Sequence, residues 1–295
     1  MKQSISGYTR LAGVVAQPIK HSLSPKIHNL GYELINYDAV YLAFEVASDE
    51  FKQTMMSVKT LNMLGVNISM PYKRMAYEAC DVLSQEAKLI GVVNTIVQEE
   101  GKLFGYNTDG IGFVESLKSQ DVSILGQKLM ILGAGGAARA VICQCALDGA
   151  AEIHVFKRKN QTFEQIAKDL IDIQEKTGTL IYLHDYQDQQ MMNKVIELAD
   201  IIVNGTQIGM GKDGALPISD MSNISDRHVL VDLIYHPLQT PFLQNGQGKG
   251  AQTINGIGML IHQAAYAFKL MTGQEMPVEE IEKKIIEDIQ TKGEE

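Results

Sequence analysis

The sequence predicts an α/β fold in two domains, and three observations predict it. Short apolar runs alternate with amphipathic helical patterns along the chain, which implies mostly parallel sheets. The alternation restarts at Leu129, after a polar segment over 119–127. At the restart stands Leu129-Met130-Ile131-Leu132-Gly133-Ala134-Gly135-Gly136-Ala137-Ala138, a run suited to a strand buried on both faces that leads into Gly-x-Gly-x-x-Ala. The second domain therefore reads as Rossmann-type.

Each small residue in that stretch has a reason. Gly133 permits the tight turn out of the strand, Gly135 lets backbone approach a pyrophosphate, and Ala138 lets the next helix lie close on the sheet. That helix is predicted over 137–147 and stops at Gly149. Its N-terminus offers unpaired N–H groups and the positive end of its dipole to phosphate. An ordinary Gly-rich turn is the plainer reading. The dinucleotide reading is preferred because a second apolar run, 153–156, follows at βαβ spacing.

From the N-terminus, 13–16 reads as a strand, followed by His21-Ser22-Leu23-Ser24-Pro25, with Ser24 as N-cap and Pro25 as first helical residue. The helix carries Ile27, Leu30 and Leu34. A strand is predicted over 40–46, then a helix capped by Ser48 with Phe51, Met55 and Val58 on one face. A strand over 66–70 ends at Pro71. Helices follow over 73–80 and 85–89. Strands over 92–97 and 103–106 flank a hairpin turn at Glu99-Glu100-Gly101. A linker is placed over 110–126. Further strands are expected near Leu129, Ile153, Leu180, Ile201, Val229 and Thr253, and helices over 259–271 and 276–289, with a frayed tail over 291–295.

Composition excludes several function classes. At 295 residues and 45% hydrophobic, the chain can bury a large core in one big or two medium domains. A net charge of −9 makes it a poor partner for nucleic acid or an anionic membrane surface. Cys80, Cys143 and Cys145 form neither an even set nor a Cys-x-x-Cys, which argues against a disulfide framework or structural zinc and for a reducing cytoplasm. No apolar run reaches transmembrane length, and 1–10 is polar, without a signal-peptide core. The histidines form no His-x-x-x-His or His-Cys cluster, so no metal is expected.

In an open α/β sheet the loops at the carboxyl ends of strands line the ligand crevice. Lys73 and Asp109 both follow strand ends, and a lysine beside a carboxylate can donate and accept a proton. Their plain reading is as solvated surface groups. Ser22, Ser24, Ser69, Asn94 and Thr108 lie near strand ends and suit a small polyhydroxylated ligand, or simply cap helices and turns. After the run 153–156 come Lys157-Arg158-Lys159-Asn160, three cations and no acid. A basic group at that place accommodates the 2′-phosphate of NADP, whereas an acid favours NAD, so NADP is favoured over NAD.

Taken in order, these residues resemble the shikimate dehydrogenase family, closest to its quinate/shikimate dehydrogenase branch. The match runs from Pro18 to Gln263 through Pro18-Ile19-Lys20-His21-Ser22-Leu23-Ser24-Pro25, Asn67-Ile68-Ser69-Met70-Pro71-Tyr72-Lys73, Gly91-Val92-Val93-Asn94-Thr95, Gly105-Tyr106-Asn107-Thr108-Asp109-Gly110, Gly133-Ala134-Gly135-Gly136-Ala137, Asn204-Gly205-Thr206 and Gly256-Ile257-Gly258-Met259-Leu260. The resemblance implies reversible oxidation of the shikimate 3-hydroxyl to 3-dehydroshikimate with NADP or NAD. It implies a substrate domain over 1–112 completed by helices over 256–295, a Rossmann domain over 113–255, and a cleft between them. It also implies Lys73 as catalytic lysine with Asp109 as its partner. Ser22, Ser24, Tyr41, Ser69, Asn94, Asp109, Tyr235 and Gln263 match substrate positions. Gly133, Ala134, Gly135, Gly136, Ala137, Lys157, Arg158, Lys159, Asn160, Leu233 and Gly258 match cofactor positions.

The sequence departs from the family pattern at several places. Lys157-Arg158-Lys159 stands where strict NADP members carry Asn-Arg-Thr. Asn160 replaces the Asp of the dual-cofactor branch, and Gln207 a frequent lysine. Tyr72 replaces Phe or Asn beside the lysine, which leaves quinate against shikimate open. A dehydrogenase of a related hydroxy or amino acid, such as aminoshikimate, and a non-catalytic nucleotide sensor are the alternatives. The oligomeric state stays open, with a homodimer as one option.

Overall fold

The computed structural model describes residues 5–210 and 214–292. Parts of the stretches 1–10 and 291–295 discussed above thus lie outside the described residues. The chain divides into two compact units, residues 1–108 with 261–295, and residues 109–260.

The first unit begins β1 (Arg10–Ala16), α1 (Ser24–Leu34), β2 (Ala39–Glu45), a 3-10 turn (Ser48–Glu50) and α2 (Phe51–Thr60). It continues β3 (Gly65–Ile68), α3 (Lys73–Ala79), β4 (Val82–Leu83), α4 (Gln85–Ile90), β5 (Thr95–Glu99) and β6 (Lys102–Tyr106). Its six-stranded sheet has the order β2-β1-β3-β5-β6-β4. β1 pairs in parallel with β2 and β3, while β5 runs antiparallel to β3 and β6. The reversal is made by Glu100 and Gly101, with φ of 49° and 75°, the paired left-handed residues of a type I′ hairpin turn.

Phe51, Met55 and Val58 of α2, Ala76 of α3 and Ala87 of α4 pack with Val15, Val66, Ile68 and Ile96 in one buried core. On the other face α1 supplies His28 and Tyr32, which lie against Tyr41 of β2 and Phe268. Neither expected serine cap is made. Ser24 is the first helical residue, Leu23 takes the cap position, and the Ser24 N–H donates to Ser22 Oγ at 3.3 Å. Ser48 opens the 3-10 turn without a side-chain cap.

The second unit is α5 (Asp109–Lys118), β7 (Lys128–Leu132), α6 (Gly136–Leu147), β8 (Glu152–Lys157), α7 (Phe163–Thr177), β9 (Leu180–Asp185), α8 (Gln189–Leu198), β10 (Ile201–Asn204), β11 (Val229–Asp232), α9 (Pro241–Gln247) and β12 (Gln252–Ile254). Its sheet order is β12-β11-β10-β7-β8-β9, parallel throughout, with the strand after the glycine turn at the centre. The helix α10 (Ile257–Thr272) begins in this unit and continues in the first, where α11 (Val278–Lys292) follows.

The linker expected over 110–126 is not there. α5 occupies its first part and buries Phe113, Val114 and Leu117. Gly110 is a packing glycine, since a Cβ on it would meet Ala140 O of α6 at 2.6 Å. Among the described residues no helix is long and apolar enough to cross a membrane.

Candidate active site

In the first unit, topology decides which residues gather. β1, β3 and β6 point their carboxyl ends to one rim of the sheet, and the hairpin turns β5 so that its first residue meets the same rim. Ser22 and Ser24 follow β1, Ser69 and Lys73 follow β3, Asn94 precedes β5, and Thr108 follows β6. Backbone bonds knit that rim together. Ser69 N–H donates to Val15 O at 3.0 Å, Ile68 N–H to Asn94 O at 2.7 Å, and Val93 N–H to Lys73 O at 3.0 Å. Lys73 is half-buried at the first position of α3, and Ser69 is exposed.

Beneath the rim lies a buried polar layer. Tyr41 Oη donates to Asn67 Oδ1 at 2.7 Å, and Asn67 Nδ2 donates to Thr95 Oγ1 at 3.0 Å. Asn94 Nδ2 donates to Thr108 Oγ1 at 3.1 Å, and Thr108 N–H donates to Asn94 Oδ1 at 2.8 Å. Gln263 of α10 reaches the layer at its edge, with Oε1 3.4 Å from Thr108 Oγ1. Asn67, Asn94, Thr95 and Thr108 are all buried, and such groups persist in a core only when hydrogen-bonded.

One expectation is corrected here. Tyr41, placed on the substrate side by the resemblance, has no exposed surface; it supports Asn67 from below. Tyr72 faces the core as well. Its ring stacks on Phe51 at 4.9 Å and its hydroxyl bonds to Val46 O and Gln17 Oε1. It has no surface with which to sort quinate from shikimate.

His28 was given no role by the sequence. It is fully buried, stacks on Tyr41 at 4.1 Å, and its nitrogens find no hydrogen-bond partner among the described residues. Burial pushes its pKa down to about 3, so the ring is neutral.

In the second unit the binding features are mostly backbone. Gly133 adopts φ 94°, and a Cβ on it would lie 3.0 Å from Gly205 O, so glycine is required twice over. Gly135 and Gly136 differ: a Cβ on either meets nothing within 4 Å. Gly135 is the N-cap of α6 with no side-chain cap, so the first turn of α6 presents N–H groups to open space. Ala134 and Ala137 are half-buried beside them. Ala138 is fully buried, and a Cβ on Gly205 would meet its Cβ at 2.8 Å, which accounts for small residues at both places.

The basic turn after β8 divides its cations. Lys157 is buried and Nζ donates to Asn160 Oδ1 at 2.7 Å; burial and the neighbouring Arg158 hold its pKa below the usual lysine range. Lys159 lies 3.7 Å from Asp185, and Arg158 is exposed. Asn160 Oδ1 also accepts the Thr162 N–H and hydroxyl, so its carbonyl end is committed to the turn.

At the ends of β10 and β11, Asn204 Nδ2 donates to Asp232 Oδ1 at 3.1 Å and Thr240 Oγ1 donates to Asp232 Oδ2 at 2.7 Å. Asp232 is fully buried and its pKa is raised by that burial, against these hydrogen bonds. It braces the turn bearing Leu233, whose N–H donates to Asn204 O at 3.0 Å. Tyr235 follows, partly exposed. Gly258 packs on Ser116 of α5, where a side chain does not fit. Asp109 is buried at the first position of α5, where the helix dipole favours a carboxylate.

The sequence reading gave no individual role to Asn67, Thr95 and Asp232, which form buried hydrogen bonds beside the candidate residues. Their signal was a polar residue inside or ending an apolar strand run.

Comparison with known proteins agrees with this arrangement. Residues 14–96 match the model of the shikimate dehydrogenase substrate binding domain, and residues 256–286 that of the shikimate 5'-dehydrogenase C-terminal domain. A protein of Lactococcus lactis subsp. cremoris named shikimate dehydrogenase (NADP(+)) is 48% identical over 278 residues, 94% of this chain and 96% of that protein. The chain belongs to the shikimate dehydrogenase family. Among solved members, shikimate 5-dehydrogenase of Listeria monocytogenes, in complex with shikimate and NAD, superposes with a TM-score of 0.93 at 38% identity, covering 97% of this chain and 99% of that one. The fold also serves another reduction: 5-ketofructose reductase of Gluconobacter sp. superposes at 0.87 with 31% identity over 96% of this chain and 100% of that one.

Proposed function

We propose that this chain is an NADP-linked shikimate dehydrogenase, interconverting shikimate and 3-dehydroshikimate, with quinate as a second substrate to be tested. One observation carries the reading: the rim that gathers Ser22, Ser24, Ser69, Lys73 and Asn94 belongs to a chain 48% identical, nearly end to end, to a protein of that name.

The residues present fit a dinucleotide. The uncapped N-terminus of α6, the open space at Gly135 and Gly136, and the left-handed Gly133 suit a pyrophosphate. Arg158 is assigned to the 2′-phosphate of NADP, and the absence of an acid after β8 weakens the case for NAD. When bound, the nicotinamide supplies the hydride chemistry.

The chain's own residues do the rest. Lys73, in its amine form, takes the proton from the 3-hydroxyl during oxidation and returns it to the carbonyl oxygen during reduction; Asp109 is the carboxylate assigned to the same task. Ser22, Ser24, Ser69, Asn94 and Gln263 orient the ring by hydrogen bonds, which supplies the proximity that hydride transfer needs. Residues 1–108 with 261–295 serve as the substrate unit and 109–260 as the cofactor unit. Cytoplasmic location and a homodimeric assembly complete the proposal.

A kinetic matrix tests it: shikimate, quinate and aminoshikimate, each with NADP and NAD. The expected result is highest kcat/KM for shikimate with NADP. Turnover confined to aminoshikimate, or stoichiometric cofactor binding without turnover, rejects it. The likeness to 5-ketofructose reductase adds 5-ketofructose with NADPH as a second arm.

A further inference from the structure

We infer that Asn67 and Thr95 are positioning residues: with Tyr41 they form a hydrogen-bonded chain that holds the Asn94 carboxamide in one of its two flip states. The inference rests on the reading above, in which Asn94 binds substrate.

A carboxamide looks almost the same after a half-turn, but its donor and acceptor ends exchange. A side-chain amide that meets hydroxyls alone has no preferred state, because each hydroxyl can donate or accept. Here two backbone groups remove that freedom. Thr108 N–H, which can only donate, lies 2.8 Å from the Oδ1 end of Asn94. Asn94 C=O, which can only accept, lies 3.4 Å from the Nδ2 end of Asn67.

Three hydroxyls, those of Tyr41, Thr95 and Thr108, complete the layer around these two oriented amides. Asn67 and Thr95 are directly opposed in the β3–β5 ladder, and Thr95 Oγ1 accepts from Asn67 Nδ2 at 3.0 Å. Its single proton has two acceptors, Asn94 Oδ1 at 3.0 Å and Thr108 Oγ1 at 3.3 Å, and the shorter contact to the amide oxygen is the better bond. Tyr41 Oη has to donate to Asn67 Oδ1, at 2.7 Å. Asn94 Oδ1 thus faces the Thr108 N–H and the Thr95 and Thr108 hydroxyls, and its Nδ2 donates to Thr108 Oγ1 at 3.1 Å. The Thr108 proton has two acceptors, Asn94 Oδ1 at 3.2 Å and Gln263 Oε1 at 3.4 Å. Tyr41, Thr95 and Thr108 are fully excluded from solvent, so water cannot stand in for a missing link.

A substrate oxygen therefore meets an Asn94 amide whose polarity is set before it arrives, which is preorganisation rather than contact. The test is steady-state kinetics on Thr95→Val, Thr95→Ser and Tyr41→Phe beside the natural enzyme, with shikimate and NADP varied separately. Thr95→Val is expected to raise the KM for shikimate by about fivefold to tenfold, the worth of one net hydrogen bond. Its KM for NADP stays within about twofold, and Thr95→Ser restores the shikimate value. Tyr41→Phe keeps the ring on His28 and shifts the shikimate KM the same way by a smaller factor, so the proposal stays testable if Thr95→Val folds poorly. Variants that lose melting temperature with both KM values unchanged, or with both raised alike, overturn the positioning role. Failure of the natural enzyme to turn over shikimate is a separate result: it overturns the proposed function, and the positioning role with it.

Discussion

The two units prepare for their ligands by opposite means. In the second unit β10 and β11 are apolar until their last residues, Asn204 and Asp232, and the central β7 ends directly in Gly133. Its proposed binding surface is backbone: a left-handed glycine, an uncapped helix start and open space. In the first unit Tyr41, Asn67 and Thr95 lie within the sheet itself, in a buried layer under the rim. A phosphate is recognised by N–H groups that every chain possesses, so a turn suffices. A ring of hydroxyls needs side chains whose donors and acceptors are already sorted, and that needs a second layer beneath the first.

Substitutions can break or sharpen this contrast. The largest effect is expected at the chemistry itself. Lys73→Ala lowers kcat by about 10³ while leaving the Kd for NADP unchanged, read by stopped-flow kinetics and by fluorescence titration. Cofactor affinity falling in parallel would contradict the division of labour between the units.

The two glycines of the turn separate fold from binding. Gly133→Val forces a β-branched residue to φ 94° and against Gly205 O, costing on the order of 1–3 kcal/mol in strain alone, read as a fall in melting temperature. Gly135→Ser, at φ −72°, keeps or slightly raises the melting temperature because serine is a good N-cap. It raises the KM for NADP by about tenfold, because the hydroxyl competes for the N–H groups that phosphate needs. Equal losses of stability in both variants would refute the claim that one glycine serves the fold and the other the ligand.

Arg158→Ala is expected to raise the KM for NADP by about tenfold and to leave that for NAD unchanged, since only the 2′-phosphate distinguishes them. A parallel rise for both cofactors would remove Arg158 from that role.

Stability against pH depends on one buried ring. His28, faced by Tyr32, Tyr41 and Phe268, titrates near 3 when folded against an ordinary value of 6.5. Between these values the unfolded chain binds the extra proton. The stabilisation is therefore complete above pH 6.5 and is lost as pH falls toward 3, by at most about 1.4 kcal/mol per pH unit. Urea midpoints measured from pH 7 to pH 5 should fall, and His28→Phe should flatten that slope.

The same contrast explains what could be read in advance. The glycine turn, α6 and its stop at Gly149 were legible because backbone geometry restricts the residue types allowed. So was the hairpin at Glu100-Gly101. The linker over 110–126 is drawn from the polar segment over 119–127 and the restart at Leu129, but Gly110 is small to let α5 approach α6, so its first part is packed helix. Along β2 the aliphatic Leu42 is 45% exposed while Tyr41 is wholly buried, so polarity along the strand is a poor guide to which side faces in. The hydrogen-bonded layer was invisible because its members are far apart in sequence, with Tyr41, Asn67, Thr95 and Gln263 joined only by the topology.

The hairpin at Glu100 and Gly101 has a practical consequence. Reversing β5 brings Asn94 to the working rim and sends the turn itself to the opposite edge of the sheet, where a side chain added to Gly101 meets nothing within 4 Å. A fluorophore or short affinity tag grafted there would report on the protein, or tether it to a surface, at the end of the sheet away from the rim proposed to bind substrate.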